Sequence, residues 1–310
     1  MPKCWCSIFH ERKQMKTSAT TRPFARVIDS QWANVGDNLK VRRALPAAGQ
    51  KSLGPWVFLD HFGPLPTDPR GHGVPPHPHA GIETVTYLLE GGMAHRDSAG
   101  HEGRVETGGA QWMTSGRGIV HAERPFGPDG EAMFSLHGMQ LWTSLPRALK
   151  MMEPRYQRID ARDVPSVEKD GATVRVIAGQ STGLQGTADV LMPLFLWHVA
   201  LEPGAKWQGE IPPGMEAGVY VMTGEVSMTE DGSKLGVGQL GIVKEGAVTE
   251  PQAISLRNDG DLLAHIMLLG GAPAEGPLVF HGPFVMNSIE QIRYAEKAYM
   301  AGQMGALAEA

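Results

Sequence analysis

His77-Pro78-His79 opens, and His121-Ala122-Glu123 closes, the stretch that decides how this chain is read. Each pair of chemically active residues has one residue between its members. On a β-strand, side chains two apart point to the same face. Each pair can therefore aim two ligands at one point if it lies on a strand. Set side by side, two such strands bring three imidazoles and one carboxylate together. That donor set suits a catalytic first-row transition metal.

The flanking sequence supplies the strands. Thr84-Val85-Thr86-Tyr87-Leu88-Leu89 has high β propensity, and Gly91-Gly92 turns it. His95-Arg96-Asp97-Ser98, then Ala99-Gly100-His101-Glu102-Gly103, reads as a hairpin with its turn. Gly108-Gly109 leads into Gln111-Trp112-Met113, and Gly116-Arg117-Gly118 leads into Ile119-Val120-His121. Upstream lie the short apolar runs Val27-Ile28, Val41 to Leu45 and Trp56 to Leu59, and downstream the run His137 to Leu145. His61 can support a ligand from behind, but a packing or turn role is the better reading. His72, His95 and His101 read as solvated or locally hydrogen-bonded, and His137 as a satisfied core residue. Trp112 and Met113 read as core. Arg117, between glycines, is either a turn residue or a charge at a pocket mouth.

The chain has 310 residues, 42% of them hydrophobic, which suits about two domains with sizeable cores. Nothing in the net charge of −5 favours a nucleic-acid partner, which would call for a basic face. Gly (39) and Pro (23) are frequent without a period, as in many short strands and turns. Cys4 and Cys6 are the two cysteines, so no disulfide framework is available, and a reducing, cytoplasmic setting is expected. No apolar run is long enough for a membrane span; Leu191 to Leu201 reads as a buried strand. Residues 1–22 are expected to be a disordered extension, with Met15 as a second candidate start. Residues 23–154 are expected to form the domain that holds the metal. The connection lies around 146–165. Residues 155–310 then form a second β domain.

That second block repeats the first. Glu83 to Gly91 aligns with Glu216 to Gly224 at an offset of 133 residues. The positions matching His77 and His79 become Glu210 and Pro212, so the second half keeps the frame without the ligands. At the end, Ser288-Ile289-Glu290-Gln291 is a capping box opening a helix that Gly302 stops. Ile289, Ile292 and Tyr299 are expected on its buried face, packed on the second domain. The tail from Met304 is expected to be loose.

Pro76 to Tyr87 and Gln111 to Glu123 resemble the pirin family, as do Leu59 to Pro64, His95 to Ser98 and Gly282 to Asn287. The resemblance runs from about Arg26 to Gly302. It implies an all-β bicupin, two β-barrel jelly rolls with a C-terminal amphipathic helix. It also implies Fe(II) in the first barrel on His77, His79, His121 and Glu123. The chain departs from the family's pattern at Thr107-Gly108-Gly109, and at Ala80 and Ile82, which bears on the pocket wall. Glu83, a ligand in the general cupin pattern, is not one in the pirin pattern.

The activity implied is a quercetin 2,3-dioxygenase-type ring cleavage, with a flavonol and O2 as partners and Glu123 as general base. Four protein ligands on an octahedral ion leave two positions for these reactants. The alternative implied is a non-enzymatic, iron-dependent redox sensor that regulates a protein partner, in the nucleus if the source is eukaryotic. A purely structural metal is a third, weaker reading.

Overall fold

In the computed structural model, which describes residues 20–36, 39–68, 73–127, 132–244 and 252–307, both faces of the strand Ile82–Glu90 are buried. Val85 and Tyr87 point one way, into a core shared with the second half of the chain. Leu88 points the other way, into the first barrel with Leu39, Val41, Phe62 and Leu136. Alternation on a strand buried on both faces explains why its sequence is nearly continuous in apolar and β-branched residues.

Each half is built from one large and one small sheet. The first large sheet has seven strands, in the order Arg155–Ile159, Ala110–Thr114, Ile82–Glu90, Phe134–Ser144, Trp56–Thr67, Leu39–Leu45 and Gln31–Val35. The second runs Phe24–Asp29, Gln239–Val243, Glu216–Thr223, Ala264–Gly271, Leu194–Leu201, Ala172–Ala178 and Ser166–Lys169. Taken in these orders the two sheets match strand for strand after the first position. The short alignment of Glu83 to Gly91 with Glu216 to Gly224 thus belongs to a structural repeat of six strands. The first small sheet is Val74–His79, Ile119–Phe126, Gly92–Asp97 and Glu102–Glu106.

The two large sheets pack against each other. Trp56, Leu59, Trp112, Met139 and Leu141 face Ile177, Leu196, Tyr220, Leu240 and Met267 in one core. Each such fully buried side chain contributes on the order of 1.5–3 kcal/mol. Polar groups in this layer pair reciprocally. The Tyr87 hydroxyl lies 2.8 Å from His198 Nδ1, and His198 Nε2 lies 2.9 Å from His265. Likewise the Tyr220 hydroxyl lies 3.1 Å from His61 Nδ1, and His61 Nε2 lies 2.8 Å from His137. His61 therefore packs between the barrels and supports no ligand, and His137 is satisfied there as expected.

The two halves exchange their ends. Phe24–Asp29, expected in the first domain, pairs with Gln239–Val243 of the second. Thr20–Thr21, expected to be disordered, pairs in parallel with Gln252–Arg257. Arg155–Ile159, expected in the second domain, completes the first large sheet. A linear cut at 154 therefore does not follow the sheets, because each outermost strand is supplied by the segment that arrives at the exposed edge. Cys4, Cys6, Met15 and His72 lie outside the described residues.

The helix is Ile289–Met300, capped by Ser288, whose side chain accepts from the Gln291 N–H. The Gln291 side chain accepts from Asn287 N rather than from the cap itself, at 2.9 Å. The buried helix face is Ile292, Ala295 and Ala298, while Ile289 and Tyr299 are exposed. Small alanines allow close approach but carry little apolar weight, so the sequence pattern placed Ile292 on the buried face and wrongly added Ile289 and Tyr299. The helix also packs on the first barrel, not the second: its core neighbours are Ala80, Val120, Phe284 and Met286. Met304 is buried in the same cluster, so the tail is anchored at that point. Among the described residues, no helix is long and apolar enough to cross a membrane.

Candidate metal centre

The segment Val74–His79 is the edge strand of the first small sheet, which is where three prolines can sit without breaking a ladder. It pairs antiparallel with Ile119–Phe126, placing His121 opposite His77 and Ile119 opposite His79. The result is that His77, His79 and His121 offer ligand atoms within 4.8 Å of one another. His79 and His121 are buried and His77 is partly so.

The hydrogen-bond partners fix which nitrogen faces the centre. His77 Nδ1 lies 2.9 Å from the Pro75 carbonyl, and His79 Nδ1 lies 3.1 Å from the Pro283 carbonyl. A carbonyl only accepts, so both Nδ1 atoms carry the hydrogen. Their Nε2 atoms then present bare lone pairs to each other, 3.1 Å apart. His121 Nε2 is buried with no hydrogen-bond partner among the described residues. Burial, and then the neighbouring His77, push His79 down to about 3. Burial, then His77, His79 and His95, push His121 well below its ordinary value. Neutral imidazoles with converging, unpartnered lone pairs are what a cation needs. Two nitrogens at right angles on one ion, with bonds of about 2.1 Å, stand about 3.0 Å apart. The residues present therefore fit a transition metal.

Glu123 is brought near but not into this cluster. It is two residues beyond His121 on the same strand, after a register shift against the edge strand. Its Oε1 accepts from Gln111 Nε2 at 2.6 Å and from the Thr86 hydroxyl at 2.9 Å. Tyr156 in turn donates to Gln111 Oε1 at 3.2 Å. Glu83 stays away from the centre: Thr114 and Thr143 donate to it, and Arg155 lies 3.8 Å away. It shares the strand face of Val85 and Tyr87, toward the second barrel.

An aromatic wall stands beside the histidine cluster. Trp142 meets the His79 ring edge-on at 4.9 Å and stacks on Phe58 at 4.0 Å. Behind Phe58, Arg43 lies 4.5 Å over the ring and pairs with Asp60 at 2.7 Å. The sequence could not reveal this wall, because Phe58 and Trp142 meet only through the register of two distant strands.

His95 makes the local hydrogen bond expected of it, but its place beside His121 was not legible in the sequence. It is buried, pairs with Asp97 at 3.1 Å, stacks on Tyr156 at 4.4 Å, and lies 3.4 Å from His121. His101 behaves as expected, bonding locally to Asp97 at 2.9 Å. Arg117 forms a two-pronged exposed pair with Glu153, both contacts at 2.9 Å, and is a turn residue. Ala80 and Ile82 lie under the C-terminal segment rather than in an open wall. Gly81 between them has φ +76°, and a Cβ there would strike the Val285 carbonyl.

In the second barrel the equivalent space is filled. Ile254 and Leu256, at the same offset of 133 from His121 and Glu123, are core residues there with Trp197, Trp207 and Phe195. Glu210 is exposed.

Residues 38–143 match the Pirin family, and residues 196–305 match the Pirin C-terminal cupin domain. Pirin from Homo sapiens is 38% identical over 86% of this chain and 88% of its own length. Pirin from Rattus norvegicus is 37% identical over 89% of this chain and 91% of its own. A crystal structure of a quercetin 2,3-dioxygenase from Acinetobacter baumannii is similar with a TM-score of 0.83 and 30% identity, over 93% of this chain and 100% of that one.

Proposed function

Because the chain belongs to the pirin family, we propose that it is a metal-dependent oxidoreductase of the quercetin 2,3-dioxygenase type, opening a flavonol ring with O2. The observation that carries this reading is the convergence of His77, His79 and His121 with the partnerless His121 Nε2 among them. Iron(II) is the ion proposed, held by these three residues and by Glu123.

When bound, such an ion supplies a Lewis acid that makes a coordinated hydroxyl more acidic, and a redox centre for reaction with O2. The chain's own residues do the rest. The Nδ1 hydrogens of His77 and His79, tied to Pro75 and Pro283, keep their lone pairs aimed at the centre. Glu123 takes the proton of the substrate hydroxyl as general base. Gln111 and Thr86 hold its Oε1, and the carboxylate would loosen from the ion to receive that proton. The Phe58–Trp142 wall orients a planar aromatic substrate by stacking or edge contact.

The test is anaerobic loading with ferrous ion, then addition of quercetin and air. Loss of the flavonol absorbance with matching O2 uptake supports the reading. Ferrous protein that leaves quercetin intact, but changes its affinity for a protein partner on oxidation, supports the redox-sensor alternative instead.

A further inference from the structure

The three imidazoles at the centre are not held alike. His77 and His79 donate from Nδ1 to backbone carbonyls, which fix their tautomers outright. The Nδ1 atom of His121 faces another ring nitrogen, His95 Nδ1, at 3.4 Å. A contact between two imidazole nitrogens has no intrinsic direction: either ring can donate. The direction is set one step further out. His95 Nε2 lies 3.1 Å from Asp97 Oδ2, and a carboxylate only accepts. A singly protonated His95 therefore carries its hydrogen on Nε2, its Nδ1 is the acceptor, and His121 donates from Nδ1. That leaves His121 Nε2 with a bare lone pair. In the opposite arrangement the His95 lone pair would face the Asp97 carboxylate, and a buried His121 Nε2–H would have no acceptor.

We propose that Asp97 and His95 are positioning residues: they select, across two rings, the tautomer of His121 that can ligate a metal. This deepens the proposed function above and rests on that reading of the centre.

The surroundings fit such a task. Asp97 is fully buried and is itself held rigidly, because its Oδ1 accepts from the N–H groups of Ala99 and His101, each at 3.0 Å. His101 Nδ1 adds a bond to Oδ2 at 2.9 Å. Tyr156 stacks on His95 with an interplanar angle of 14°, which fixes the ring plane. Strand pairing sets the chain of contacts in register, since Asp97 is opposite His121 and His95 is opposite Glu123.

Asp97→Asn tests the proposal at constant volume. Its Oδ1 keeps the two backbone N–H bonds, so the Nδ2 amide falls where Oδ2 was and offers His95 a hydrogen. His95 then carries its own hydrogen on Nδ1, and His121 is driven to Nε2–H. Two readouts apply to the full chain. The first is nitrogen-15 NMR of the metal-free protein, which reports which imidazole nitrogen is protonated. The second is titration with cobalt(II) alone. The expected result is His121 protonated on Nδ1 in the wild type and on Nε2 in D97N, with cobalt bound about 10–100-fold more weakly. An unchanged His121 tautomer in D97N, or cobalt affinity equal to wild type, overturns the proposal. Wild-type protein that takes up no cobalt contradicts the reading of the centre, while the tautomer measurement still decides the relay. His95→Phe, which cannot accept from His121, separates a loss of packing from a loss of the acceptor: it keeps a ring for Tyr156 and should still weaken cobalt binding. Cobalt affinity in H95F equal to wild type also overturns the proposal.

Discussion

His79 Nδ1 and the Pro283 carbonyl lie 3.1 Å apart, although 204 positions separate them in the chain. The C-terminal segment thus reaches back to hold a member of the first barrel's histidine cluster. Lys150 pins it there, donating at 2.8 Å to each of Val285 O, Gly81 O and Ser144 Oγ. Lys150→Met removes the donor from Val285 O and Ser144 Oγ, while Gly81 O keeps the Leu145 N–H at 3.1 Å, at a cost of about 1–3 kcal/mol. The urea midpoint should fall accordingly, and limited proteolysis should release the segment beyond Ala272. An unchanged midpoint would mean that the pin carries no stability.

His121→Ala removes a proposed ligand whose Nε2 has no hydrogen-bond partner among the described residues. Metal uptake, measured by equilibrium dialysis and elemental analysis, should drop by at least about 100-fold. The circular dichroism spectrum and urea midpoint of the metal-free protein should stay close to wild type. Global unfolding of the variant would instead argue for a structural metal.

Glu123→Gln keeps an oxygen for Gln111 and Thr86 but removes the charge and the basic lone pair. Quercetin turnover should fall roughly 10²–10⁴-fold, as general bases contribute. Equal kcat in wild type and variant would remove Glu123 from the chemistry.

The histidines between the barrels predict an acid-sensitive interface. Burial, then the neighbouring His137, lower His61 to about 3. Burial lowers His137 to about 4 and His198 well below its usual value. The unfolded chain, with histidines near 6.5, binds more protons than the folded one below that pH. The associated stability is present above about 6.5 and is lost as pH falls toward 4 and 3. His61 alone can steepen the loss by up to about 1.4 kcal/mol per pH unit. Urea midpoints from pH 8 to 4.5, taken on a His79→Gln, His121→Gln variant to remove the metal ligands' own titration, should fall below pH 6.5. A flat profile would contradict the buried, neutral state of these rings.

What could be read without the structure was what repeats locally. The one-residue spacing in His77-Pro78-His79 brings both rings to one cluster because strand alternation acts within a few residues, and His121 joins them from the paired strand. The repeat was visible where Tyr87 aligns with Tyr220, two residues that take equivalent places between the barrels. Three features were out of reach. The exchange of Phe24–Asp29 and Arg155–Ile159 depends on which edge is open once both sheets exist. The helix seats Ala295 and Ala298 because they are small, a property that hydrophobic periodicity does not weigh. The burial of His95 needs Tyr156, delivered by a strand from the other side of the presumed boundary.

The central claim is that His77, His79 and His121, with Glu123, share one ion. Crystals grown with ferrous ion under anaerobic conditions, measured at the iron absorption edge, test it directly. The account predicts a single strong anomalous peak about 2.0–2.3 Å from the Nε2 atoms of all three histidines, with Glu123 turned toward it. No peak there, or iron bound elsewhere while these nitrogens stay apart, would contradict it.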